Sequence, residues 1–71
     1  MTGKEFLRKV RKVAKREKLF FGWHPNLGKG SHGVIRLGTQ KSVLRNTKDE
    51  LKTGTLNAML KQLGLSEEDI R

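Results

Sequence analysis

The chain has 71 residues, with 16 Lys or Arg against 7 Asp or Glu, two His and no Cys, for a formal net charge of +9. That length allows one small domain, expected over residues 1–71, whose core has neither a disulfide nor a thiolate metal site to support it. No apolar run approaches the ~18 residues of a membrane span, and the basic amphipathic start is unlike the apolar core of a signal peptide, so the expectation is a soluble cytoplasmic protein.

Thr2-Gly3-Lys4-Glu5 has the capping-box spacing, and behind it Phe6, Leu7, Val10, Val13 and Ala14 recur at three- and four-residue steps. The pattern predicts an amphipathic helix from Thr2 to about Lys18, with Arg8, Lys9, Arg11, Lys12, Lys15 and Arg16 covering the remaining surface. Leu19 to His24 reads as a short aromatic strand stopped by Pro25-Asn26. After the loop Leu27-Gly28-Lys29-Gly30, Ser31 to Leu37 alternates, so that Gly33, Ile35 and Leu37 share one face and His32, Val34 and Arg36 the other. Gly38-Thr39 turns the chain into a third strand, Lys41 to Arg45. Thr53 or Gly54 opens a last helix carrying Leu56, Met59, Leu60 and Leu63, closed by Gly64, and Ser66 to Asp69 repeats the capping-box spacing so that Ile70 packs. The expected fold class is α+β, in the order α-β-β-β-α, with a three-stranded antiparallel sheet and both helices on one face. The other face is left for a ligand.

The charge is uneven. Residues 2–18 hold eight basic and two acidic side chains, residues 19–40 two and none, and residues 41–71 six and five. An excess of this size attracts polyanions, with nucleic acid foremost, the alternative being a solubilising surface without a fixed ligand.

Gly28-Lys29-Gly30-Ser31-His32-Gly33 matches G-x-G-x-x-G, but a strand follows where a dinucleotide site needs a helix. What remains is a loop with free amides, a Lys and a hydroxyl, either a phosphate cradle or a hairpin connection. Cleaving RNA without a metal requires a group to take the 2′-hydroxyl proton, one to protonate the leaving 5′-oxygen, and cations to hold the charge between them. Imidazole, with a pKa of about 6.5 in model peptides, suits either proton transfer. His32 lies beside the glycine loop, near Lys29 and on the side of Arg36, and His24 ends the preceding strand. For either histidine, residue chemistry alone favours an exposed or hydrogen-bonded structural role over a catalytic one. Two His without Cys or H-x-x-x-H spacing give no zinc site, and no metal or cofactor is expected. Asp49, Glu50, Glu67, Glu68 and Asp69 fit charges at helix starts. Of Phe20, Phe21 and Trp23, two are expected in the core and one is left to stack on bases.

Thr2-Gly3-Lys4-Glu5, Gly28-Lys29-Gly30-Ser31-His32-Gly33, Glu50-Leu51-Lys52-Thr53-Gly54-Thr55-Leu56 and Leu60-Lys61-Gln62-Leu63-Gly64-Leu65, in that order and covering nearly the whole chain, resemble the HicA toxins of bacterial toxin–antitoxin pairs. The resemblance implies a fold similar to double-stranded-RNA-binding domains. It also implies endoribonuclease activity on messenger RNA, which the residue set read above would make metal-independent, and inhibition by a HicB-type antitoxin. It assigns the functional histidine to His32. Many members have a Pro and a His before the Glu-Leu pair, where this chain has Leu44 and Asn46, which removes a second histidine from that place.

The leading expectation is a toxin-type endoribonuclease in which His32 is catalytic, Lys29, Gly30, Ser31, Arg36 and Lys41 bind RNA phosphate, and His24 is auxiliary. A non-catalytic module binding double-stranded RNA is the alternative. No helix-turn-helix spacing supports DNA binding.

Overall fold

The computed structural model describes residues 1–25 and 32–71. Within them run helix α1 (Gly3–Glu17), strands β1 (Phe21–His24), β2 (Gly33–Leu37) and β3 (Gln40–Leu44), helix α2 (Thr53–Leu63) and a 3-10 turn over Glu67–Ile70. The strands form one antiparallel sheet in the order β1-β2-β3, so the α+β arrangement is the expected one. No helix among the described residues is long and apolar enough to cross a membrane.

α1 starts where its sequence can satisfy its open amides. The Thr2 hydroxyl accepts from the Glu5 N–H at 3.2 Å, and the Glu5 carboxylate accepts from the Thr2 N–H at 3.2 Å. Two further amides are satisfied from a distant segment, with Gly3 N–H donating to the Asp49 carbonyl at 3.0 Å and Lys4 N–H to the Thr47 carbonyl at 2.8 Å. Leu51 N–H in turn donates to the Met1 carbonyl at 2.8 Å, so residues 46–51 form a strap across the start of α1. The strap lies so close that a Cβ on Gly3 would stand 2.8 Å from the Asn46 carbonyl oxygen. At its other end α1 is closed by Lys18 in the left-handed region (φ 57°, ψ 43°), which costs a non-glycine residue about 1 kcal/mol. The same reversal starts β1 at Phe21, two residues later than the aromatic run suggests, because Leu19 N–H still bonds back to the Ala14 carbonyl.

Phe6, Val10 and Ala14 of α1 bury against Ile35 and Leu37 of β2, Leu44 of β3, and Met59, Leu60 and Leu63 of α2, and Val13 is buried as well. Each large aliphatic or aromatic side chain fully removed from water contributes roughly 1.5–3 kcal/mol. Phe21 and Trp23 are only partly buried and pack against the edge of this core instead of filling it, while Phe20 stays 62% exposed. Gly38 takes φ +62° in the turn between β2 and β3, which shifts β3 to begin at Gln40. α2 begins after Lys52 without a side-chain cap and ends at Gly64 in the left-handed region. The single buried polar side chain among the described residues, Ser42, donates its hydroxyl to Gln62 Oε1 at 2.5 Å and so ties β3 to α2.

Ser66 and Asp69 form the second capping box, and Ile70 is buried behind it. Two carboxyls are thereby held below their ordinary range. Glu5 is held by the Thr2 N–H and then its hydroxyl, and Asp69 by the Ser66 N–H, then its hydroxyl and the Arg16 guanidinium. A carboxyl lowered on folding adds stability above its ordinary pKa, here 4.5 for Glu and 3.8 for Asp, and that stability is lost as the pH falls through the lower folded value. The melting temperature should therefore decline from about pH 5 downwards, and the double variant Glu5→Gln, Asp69→Asn should decline less. An identical decline in that variant would assign the acid sensitivity to other groups.

Candidate nucleic-acid interface

With both helices on one face of the sheet, alternation sends the remaining side chains to the other. β2 contributes Val34 and Arg36 there, and the register sets His24 opposite Val34 and Gly22 opposite Arg36 on β1. On β3, Val43 faces Val34 and Lys41 faces Arg36. Arg36 and Lys41 are both exposed, and neither is paired with an acidic side chain among the described residues. Like charges directly opposite one another destabilise a sheet unless an anion sits between them. Val43, 52% exposed, gives this cationic face an apolar margin.

Gly22 explains where His24 points. A Cβ at Gly22 would lie 2.8 Å from His24 Nε2 and 3.1 Å from the Phe20 ring, so the imidazole and the phenyl ring close over the glycine from either side. His24 thus leans along β1 towards the row containing Arg36 and Lys41.

His32 is half-buried and immediately precedes β2. Gly33 pairs with Leu44, so His32 and Arg45, each one residue beyond that pair, lie at the end of the sheet where His24 closes β1. Arg45 is a further cation, beyond those expected at the site from the sequence. Its position follows from counting strand pairs back from the Gly38-Thr39 turn. Arg45 and Gly33 line a depression of about 280 Å³ at this end of the sheet, with Trp23, Pro25, Asn46 and Thr47. Asn46 is occupied locally, because its Oδ1 accepts from the Lys48 N–H at 2.9 Å and shapes the strap. Lys29, Gly30 and Ser31 lie outside the described residues. The structure therefore brings His24, Arg36 and Lys41 onto one face, with His32 and Arg45 at its edge.

Such an arrangement can hold phosphates on guanidinium and ammonium groups and offer imidazoles for proton transfer. Among the described residues no group of three or more His, Asp or Glu side chains could hold a metal ion. A family model described as the HicA toxin of bacterial toxin–antitoxin matches residues 8–65. No curated protein and no solved structure matches the chain significantly.

Proposed function

The chain belongs to the HicA toxin family of bacterial toxin–antitoxin systems, and from that membership we propose that it is an endoribonuclease that cleaves messenger RNA with His32 as its catalytic group. The observation that carries the reading is the unneutralised pair Arg36 and Lys41, opposed across β2 and β3 on the helix-free face that also presents His24. A fold gains nothing from two facing cations, whereas an RNA backbone does.

In the reaction the 2′-oxygen attacks the adjacent phosphorus and the bond from phosphorus to the 5′-oxygen breaks. The products are a 2′,3′-cyclic phosphate and a 5′-hydroxyl. His32 takes the 2′-hydroxyl proton, and a second donor, His24 or water, protonates the leaving oxygen. Lys29, Arg36 and Lys41 hold the charge that grows on the phosphoryl oxygens, with Gly30 and Ser31 offering amide and hydroxyl donors. A HicB-type antitoxin would place acidic and apolar groups against the same face and so compete with RNA.

The test is cleavage of a labelled RNA by pure protein in excess chelator, followed by analysis of the ends. Cyclic phosphate and 5′-hydroxyl ends are expected, and activity that vanishes in chelator would overturn the metal-independent scheme. Replacing Arg36 and Lys41 by Gln should weaken RNA binding and reduce its salt dependence by about 0.7–0.9 in logarithmic slope for each phosphate no longer neutralised. The same double variant should melt no lower than the parent, because a repulsion of roughly 0.2–1 kcal/mol is relieved.

A further inference from the structure

α1 and β1 do not close fully upon one another. Between them runs a groove of about 410 Å³ whose floor is formed by Leu7, Phe21 and Trp23 and whose rim carries Lys4, Arg8 and Arg11. The three cations follow i, i+4, i+7 spacing, so they stand along one flank of the helix, about 6 Å and 4.5 Å apart along its axis. The rim's one carboxylate, Glu5, is already engaged by Thr2 at the helix cap. The site therefore joins an aromatic floor to an excess of positive charge.

A nucleotide satisfies both halves at once, offering a π-face for Phe21 and Trp23 and phosphates for the rim. Continuity adds to this. Trp23 lines both the groove and the depression at the end of the sheet beside Gly33 and Arg45, next to His32. A strand that occupies that end of the sheet can pass over the indole into the groove. We propose that the α1–β1 groove is a nucleotide subsite of the RNA-binding surface, holding one unpaired base against Phe21 and Trp23 with the backbone on Lys4, Arg8 and Arg11. The subsite rests on the ribonuclease reading above and adds to it a preference for single-stranded substrate.

Trp23 is the chain's only tryptophan and there is no tyrosine, so emission reports on ligands at the groove or the adjoining depression, and the arginine variant below assigns the signal to the groove. The experiment titrates the His32→Ala protein with a mixed-sequence RNA hexanucleotide, following Trp23 emission and the anisotropy of an end label. Saturable quenching is expected, together with affinity lowered about tenfold or more in the Arg8→Gln, Arg11→Gln variant. A hexanucleotide of equal charge with abasic sites should quench weakly. Binding seen by anisotropy without quenching, and unaffected by the two arginine changes, overturns the subsite while leaving RNA binding intact. Absence of any binding overturns both readings. If the arginine variant holds the hexanucleotide like the parent but no longer captures a HicB-type antitoxin, the groove belongs to the protein partner and the subsite proposal fails.

Discussion

Replacing His32 by alanine should slow RNA cleavage by about 100- to 10,000-fold, the range that a positioned general acid or base contributes. The side chain is suited to so selective a loss. It precedes β2, is half-buried, and is not one of the side chains that form the core, so its removal leaves the packing of Ile35 and Leu37 in place. The measurement is a single-turnover cleavage rate on protein purified free of host nuclease, with a melting curve to establish that the variant folds. Cleavage at close to the parental rate by a folded His32→Ala protein would end the catalytic assignment. His24→Ala should cost less, because water can replace His24 as proton donor to the leaving oxygen.

The neighbouring position should respond in a different way. Gly33→Ala is expected to lower the stability of the whole domain by about 1–3 kcal/mol, the usual cost of forcing extra volume into a packed site. A Cβ at Gly33 would overlap the six-membered ring of Trp23, coming within 2.7 Å of Cζ3. Gly33 does not need its backbone freedom, since its φ lies outside the left-handed region, so the demand is purely for space. For a domain of this size the loss corresponds to a fall in melting temperature of roughly 5–20 °C. A shift in Trp23 emission should accompany it as the indole is displaced. If the melting temperature and the emission both stay at parental values, the indole does not lie over Gly33.

The capping boxes at Thr2 and Ser66, the left-handed Gly64 and the one-faced stripe of α2 are legible in the sequence because each is decided by residues within one or two turns of one another. The alternation of Gly33, Ile35 and Leu37 against Val34 and Arg36 is legible for the same reason, and it is enough to place Arg36 on the open face. The opposition of Arg36 and Lys41 needs only the position of the Gly38-Thr39 turn in addition. Trp23 over Gly33 is a diagonal contact between strands, set by how a large ring lies on a neighbouring backbone, and no local pattern encodes it. The strap is hidden for a related reason: its bonds to Gly3 and Lys4 use backbone carbonyls of Asp49 and Thr47, which carry no side-chain signature. α2 begins at Thr53, one of the two starts the sequence offers, although its N-cap Lys52 supplies no capping side chain.

That strap also sets an order of events in folding. The first amides of α1 find their carbonyl partners more than forty residues later in the chain, and Thr2 pairs with Glu50 in an isolated bridge. Closing so long a loop carries an entropy penalty that contacts along α1 alone cannot offset. The helix can form early, as local structure does, but its first turn stays frayed until the β2–β3 hairpin has formed and carried residues 46–51 back to it. Lys4, in that first turn, is consequently fixed in position late, and a nascent chain on the ribosome would present its charge without the completed surface.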